Sequence, residues 1–192
     1  TLHQSSLGSL YLIVPHKLHP LWYTPLLPIF FFFSAVMVGL AMTIFESWHS
    51  GKAFGREIEM PLLRSLSRVL AVLLAAFVTM RFLDLARRDA LHYLFEPGSE
   101  RYFFLLETLL FAAPMLLLFQ ARIRANPRAL YLSAVLAIFG FIANRLNVSV
   151  TGMEAGSGVK YIPKWTEAAV TLAIVALGFA VFYQAAKHLP IF

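Results

Sequence analysis

Seven residues carry ionisable or amide side chains inside or beside long apolar stretches: Arg81, Asp84, Glu107, Asn144, Arg145, Asn147 and Glu167. Charges in such surroundings are costly unless they pair or line a wet cavity. The chemistry open to them is proton handling, with carboxylates taking up and releasing protons while guanidinium and amide groups hold water. Arg81 and Asp84 stand i,i+3 and could pair on one helix; Glu107 and Arg145 form a second candidate pair. Two readings stay open. The pairs could be structural and fix helix packing, or the groups could line a polar pocket or a proton-conducting inlet. Ionisable groups from four helices at one depth favour the second.

The other reactive residue types offer less. Cysteine is absent, which excludes disulfides, thiolate-held clusters and thiol nucleophiles. The six histidines, His3, His16, His19, His49, His92 and His188, fall in loops or at the ends of apolar stretches. A bis-histidine haem needs ligands projecting inward from helices, so no haem is expected. His16 and His19 have i,i+3 spacing but no third ligand nearby, so no metal site is expected. Met80 reads as core. Asn147-Val-Ser149 has the form of a glycosylation acceptor but falls at a helix end.

These groups need helices to position them. The chain of 192 residues is 59% hydrophobic and 14% charged, with mean hydropathy +0.72, whereas soluble domains lie near ~45–50% and ~25%. An all-α integral membrane protein is expected. Five spans fit, at about 26–48, 67–85, 103–120, 129–149 and 168–186. Each is about 18–23 residues, enough to cross a hydrocarbon core of ~30 Å. Turn chemistry at Gly51 and Gly55, Glu96-Pro-Gly-Ser99, Asn126-Pro127 and Gly152–Gly158 separates them. No repeat is visible, so residues 1–192 read as a single helical domain. Pro114 predicts a kink that frees a carbonyl, and Phe30–Phe33 read as lipid-facing or packing mass. Trp22, Tyr23, Trp48, Tyr161 and Trp165 read as interfacial aromatics. Thr166 is a natural N-cap, with Glu167 suited to the helix dipole.

Successive spans are antiparallel, so Arg81, Asp84, Glu107, Asn144, Arg145, Asn147 and Glu167 all fall at one membrane face. Glu107, about five residues past its predicted helix start, sits ~7 Å deep. The first 22 residues lie at the same face. They combine His3-Gln-Ser-Ser6 with the short apolar run Leu10–Val14, interrupted by Pro15 and Pro20. This stretch reads as a polar helix end followed by a loop along the membrane surface. With no initiator Met, the chain reads as a portion of a longer one.

The net charge of +6 fits orientation signals and lipid headgroups, and nucleic-acid binding is not expected. One side holds Lys52, Arg56, Arg64, Arg68, Arg122, Arg124, Arg128 and Lys187. The other holds Lys17, Arg87, Arg88, Arg101, Lys160 and Lys164 once Arg81 and Arg145, inside helices, are left out. The balance favours a cytoplasmic C-terminus and an outward-facing His3 segment.

Several motifs resemble one family: Leu2-His-Gln-Ser-Ser-Leu-Gly-Ser9, His19-Pro-Leu-Trp22, Ile44-Phe-Glu46, Arg81-Phe82 and Tyr161-x-Pro163-x-Trp165-x-Glu167. They look like the second half of the NrfD/polysulfide-reductase membrane-subunit family, in its HybB-type branch of nickel–iron hydrogenase subunits. The resemblance implies about ten spans in the complete subunit, of which this chain would be the C-terminal part, in the bacterial inner membrane. It implies no haem or cluster in the chain itself. It implies electron exchange between a periplasmic iron–sulfur subunit, serving a hydrogenase or related catalytic subunit, and menaquinone or ubiquinone in the bilayer. Arg81, Asp84, Glu107, Asn144 and Arg145 would then serve the quinone or its protons, and His3, Gln4 and Ser5 would lie near the partner or the quinone slot. The family's quinone pocket is usually placed in the N-terminal bundle. A secondary transporter or channel fragment is the competing class, although transporter sites lie near mid-membrane on broken helices. A purely structural anchor is a third.

Overall fold

The computed structural model of the protein describes residues 2–55, 57–157 and 164–188. Arg56, Lys160, Tyr161 and Pro163, used in the charge balance and motif readings above, lie outside them. The chain divides into two compact units, Thr1–Gly158 and Val159–Phe192. The described residues are helical and contain no strand, and five helices are long and apolar enough to span a membrane. The protein is an all-α integral membrane protein.

The first unit is built on α2 (Leu27–Phe54), α3 (Met60–Arg87), α4 (Ser99–Phe119) and α6 (Pro127–Leu146). Each packs on two others, in the closed order α2, α3, α4, α6 and back to α2. This is an up-and-down four-helix arrangement. Its cause is visible in the buried positions. On α3, with Ala71 and Leu85 buried beside it, the main line is Leu63, Ser67, Leu70, Leu74, Phe77, Arg81 and Asp84; on α4 it is Phe104, Glu107, Phe111, Pro114 and Leu118. Both run in alternating steps of three and four, which is the inward seam of a packed helix. The charged residues therefore occupy core positions of the seam.

The core has two apolar layers. One contains Phe30, Met37, Leu74, Phe77 and Phe111. The other, at the end carrying the N-terminal segment, contains Leu21, Trp22, Phe31, Leu85 and Phe104. Arg81 lies between Phe77 and Leu85 on α3, and Glu107 between Phe104 and Phe111 on α4, so the polar groups form a layer enclosed by apolar ones.

Helix ends differ from the sequence expectations because hydropathy marks the hydrocarbon-crossing part, whereas caps mark where a helix stops. α2 continues through Gly51 and ends at Gly55, whose φ of 63° is left-handed. α3 begins at Met60 rather than near Ser67. α4 begins at Ser99, which puts Glu107 ~12 Å along the helix instead of ~7 Å. A short helix α5 (Ala121–Ala125) precedes α6, whose N-cap Asn126 accepts from Arg128 N–H at 3.0 Å and Ala129 N–H at 3.4 Å. The turn expected from Gly152 onward is instead a π-helical turn, Asn147–Thr151, continued by α7 (Gly152–Ser157). In the second unit, α8 (Trp165–His188) begins one residue before Thr166, so Thr166 is not its cap. Glu167 in its first turn and Lys187 and His188 in its last match the dipole.

Two glycines set close approaches. Pro114 has no N–H to donate, which releases the Leu110 carbonyl; a Cβ on Gly140 of α6 would lie 3.1 Å from that oxygen. At the N-terminus, α1 (Leu2–Leu10) crosses the start of α2 at Gly8, where a Cβ would meet Leu27 O and Pro28 Cα, each at 2.8 Å. Both are backbone atoms, so Gly8→Val is expected to lift α1 away and cost about 1–3 kcal/mol. Thermal unfolding in detergent, with hydrogen exchange along α1, measures this; an unchanged midpoint would mean that α1 can shift freely.

Candidate functional site

Glu107 is at the centre of the polar layer, fully buried. Its Oε1 accepts from Arg81 Nη1 and, at 2.7 Å, from Asn144 Nδ2. Its Oε2 accepts from Trp22 Nε1 at 2.9 Å and Asn147 Nδ2 at 2.8 Å. An ionised carboxylate offers about four acceptor positions, and four donors fill them. The Arg81 guanidinium also lies 4.3 Å from the centre of the Phe104 ring. Asn147 is placed by the π turn, which sends adjacent Asn147 and Val148 both into the interior. Burial of Asn147 also disposes of the glycosylation reading.

The pairings expected from sequence are exchanged. Arg81 pairs with Glu107 across helices, and Asp84 pairs with Arg88 one turn along α3, Arg88 Nη2 lying 2.8 Å from Oδ2. Arg88 Nε donates to the same oxygen at 2.9 Å, and Arg88 Nη1 donates to Pro20 O at 3.0 Å. Asp84 Oδ1 accepts from Thr24 Oγ1 at 3.0 Å. Asp84 thus keeps one acceptor position open. It borders a cavity with about 20 Å³ of room, also lined by Thr24, Arg81, Arg88 and Asn144. That volume holds a water and is far below the ~300 Å³ at which ligand pockets begin.

Arg145 has amide, hydroxyl and carbonyl partners rather than Glu107. Nε donates to Gln4 Oε1 at 3.1 Å, Nη1 to Asn144 Oδ1 at 2.7 Å, and Nη2 to Ser34 Oγ at 2.7 Å and to Phe31 O at 3.3 Å. The guanidinium lies 3.7 Å from the Phe31 ring centre and 4.5 Å from that of Phe141. It ties α1, α2 and α6 together. Of the N-terminal trio, only the Gln4 side chain reaches the polar layer; His3 is exposed and Ser5 half-buried. Arg81, Asp84, Glu107, Asn144 and Arg145 come together, as their shared membrane face required.

Sequence reasoning missed four contributors, Trp22, Thr24, Ser34 and Arg88. Trp22, expected at the headgroups, is buried and holds Glu107. Thr24 and Ser34 are single hydroxyl residues that no spacing or charge in the sequence sets apart. Arg88 was counted as a loop charge, although its i,i+4 spacing from Asp84 was a readable signal.

The loop carrying Trp22 is fixed by His19. Its N–H donates to Gly152 O at 2.8 Å, and its Nδ1 accepts from Leu21 N–H at 3.2 Å. Its ring packs edge-on against Trp22 and Tyr93. Burial lowers the His19 pKa, outweighing the opposing pull of Glu100 and Glu96. A histidine whose folded pKa is depressed contributes stability that is intact above its unfolded value, near 6.5, and is lost as pH falls through the folded one. Protonation of Nδ1 also removes the acceptor for Leu21. Exchange protection around Leu21–Trp22 is therefore expected to fall below about pH 6.5, and His19→Asn, which keeps an acceptor without titrating, should flatten that profile. An unchanged profile in the variant would exclude His19.

The family described as Polysulphide reductase, NrfD, matches residues 8–155. The probable Ni/Fe-hydrogenase 2 b-type cytochrome subunit of Escherichia coli (strain K12) is 34% identical over 194 residues, covering 100% of this chain and 50% of that protein. A protein of Nitratidesulfovibrio vulgaris (strain Hildenborough) is 31% identical over 201 residues, with 100% and 51% covered. The chain spans about half the length of these relatives. No solved structure matches. The motif residues Gln4, half-buried, and Trp22 and Arg81, both buried, lie in or beside the matched stretch, and with a match over most of its length the chain belongs to the polysulphide reductase NrfD family.

Proposed function

We propose that the chain is the C-terminal transmembrane domain of a longer membrane subunit in a respiratory oxidoreductase complex of the bacterial inner membrane. In this reading the subunit passes electrons between a periplasmic iron–sulfur protein, serving a nickel–iron hydrogenase or related enzyme, and menaquinone or ubiquinone. The C-terminus is cytoplasmic, and α1 with the polar layer faces outward. Reduction of a quinone to quinol takes two electrons and two protons, so such a subunit needs a proton supply that reaches the quinone. The observation that carries the reading is the water-sized cavity beside Asp84, which has an open acceptor position at the α1 end of the bundle. Asp84, Thr24 and Asn144 can hold and orient water there; Glu107 and Arg81 form the frame around it. The cavity is too small for a quinone ring, which supports a proton role for these residues rather than a quinone pocket.

The relative's description as a b-type cytochrome subunit raises the question of haem. His3, His16, His49, His92 and His188 are exposed, and His19 uses Nδ1 to hold its loop. The described residues therefore do not fit a bis-histidine haem within this bundle.

The test uses the complete complex with its soluble partners. Donor-driven quinone reduction is compared with reduction of an artificial dye in the parent and Asp84→Asn proteins. Loss of the quinone reaction alone in Asp84→Asn supports the proton route. Parental rates of both reactions in a fully assembled complex would leave this domain as an anchor.

A further inference from the structure

At the opposite end of the bundle, the last turns of α2 and the first of α6 carry an aromatic and basic cluster that the reading above does not use. Tyr131 stacks on Trp48 at 5.2 Å and on Phe45 at 5.7 Å between ring centres. His49 packs on Phe45 at 4.5 Å, and its Nε2 lies 3.0 Å from Tyr131 Oη. Lys52 Nζ sits 4.8 Å from the Trp48 ring centre. Arg128 precedes Tyr131 by three residues and so shares its helix face.

The His49–Tyr131 pair leaves one donor and one acceptor free in either tautomer, and the cations beside it tip the cluster toward donors. If His49 carries its proton on Nδ1, Tyr131 donates to Nε2 and the Nδ1–H is left over. If the proton is on Nε2, His49 donates and the Tyr131 O–H is left over. Either tautomer therefore leaves a donor unused. Lys52 and Arg128 add only donors, and among the described residues neither has a carboxylate within ion-pair distance. Glu46, Glu57 and Glu59 also face this end, yet Lys52, Arg64, Arg122, Arg124 and Arg128 outnumber them. Surplus donors, cations and an aromatic platform at the membrane boundary suit an anionic acceptor with apolar material attached.

We infer that Trp48, His49, Lys52, Arg128 and Tyr131 form a binding site for the phosphate headgroup of an anionic phospholipid. The phosphodiester oxygens take the protons of Lys52, Arg128 and the His49–Tyr131 pair, while the acyl chains run along Phe45 toward the bilayer interior. A zwitterionic lipid brings its own cation and satisfies the cluster less well. The site lies apart from the polar layer, so it stands or falls independently of the proposed electron transfer.

The test uses the full-length protein in phosphatidylcholine nanodiscs. Bromine-labelled phosphatidylglycerol or bromine-labelled phosphatidylcholine is titrated in. The part of the quenching lost in Trp48→Phe reports on this site. Phosphatidylglycerol is expected to quench Trp48 at a mole fraction lower by about thirtyfold, as two basic side chains near a headgroup would give. The double variant Lys52→Gln/Arg128→Gln, checked for parental thermal unfolding, should move the phosphatidylglycerol curve onto that of phosphatidylcholine. If unfolding is altered, His49→Phe/Tyr131→Phe, which keeps the rings, should weaken the preference in the same direction. Coincident curves for the two lipids in the parent would reduce the cluster to an interfacial aromatic belt and overturn the inference. A phosphatidylglycerol preference untouched by either double variant would overturn it too. Displacement of the lipid by inorganic phosphate would overturn the lipid as its source.

Discussion

Glu107→Leu is expected to destabilise the four-helix unit by about 3–5 kcal/mol, the usual cost of stripping one partner from a buried ion pair. The reason lies in what remains. Arg81 would keep its charge at a nearly dry position, and Trp22, Asn144 and Asn147 would each lose an acceptor. Arg81→Leu removes only one of the four donors to Glu107 but leaves the carboxylate buried without its cation, so a loss of similar size is expected. The double variant, Arg81→Leu/Glu107→Leu, removes both charges and orphans only the three neutral donors. It should therefore be more stable than the sum of the single losses by about 2 kcal/mol, within the range of coupling for residues in direct contact. Reversible unfolding in detergent measures all three proteins. Additivity within about 0.5 kcal/mol would mean that the charges do not act as a pair. Glu107→Gln is not a mild substitute here, because its amide nitrogen would face other donors.

The contrast between what the sequence disclosed and what it withheld follows from the distance over which each constraint acts. Spans and their antiparallel order are properties of local composition, and these alone brought Arg81, Asp84, Glu107, Asn144 and Arg145 to one face. The seam from Leu63 to Asp84 is a periodic signal, also local. Partner choice is not. Whether Arg81 meets Asp84 or Glu107 depends on helix rotation and depth, which a four-residue change in the start of α4 is enough to alter. Arg145 reaches Gln4 across 141 positions, and Trp22 reaches Glu107 across 85. Both links exist because the segment between α1 and α2 folds back over the bundle end, and no residue pattern within Tyr11–Leu26 announces that return. Helix ends were misread for a different reason: Gly51 and Gly55 look alike in sequence, and only Gly55 adopts the left-handed conformation that terminates α2.

Glu107 and Asp84 look like equivalent membrane carboxylates in the sequence, but their surroundings divide the work between them. Glu107 has no unused acceptor position, so a proton arriving there would displace one of four established donors. Asp84 has an open position beside a cavity that admits water. Asp84→Asn keeps the size of the side chain and an oxygen for Thr24, but it turns an amide nitrogen toward Arg88 and cannot carry a proton. If protons for quinone reduction pass this point, the variant should lose about 100-fold in quinone turnover, the lower range of what a positioned acid–base group contributes. Dye reduction, which draws electrons before the quinone step, should be unchanged. A merely structural role for Asp84 would also slow turnover if the helix end shifted, so two further readouts separate the cases. Proton limitation should enlarge the solvent deuterium isotope effect in the variant, and a small weak acid such as formic acid, entering the cavity region, should restore part of the rate. A structural defect would respond to neither. A variant that is slow, isotope-insensitive and not rescued would place the proton route elsewhere and leave Asp84 as the anchor of Arg88 and the Pro20–Thr24 loop.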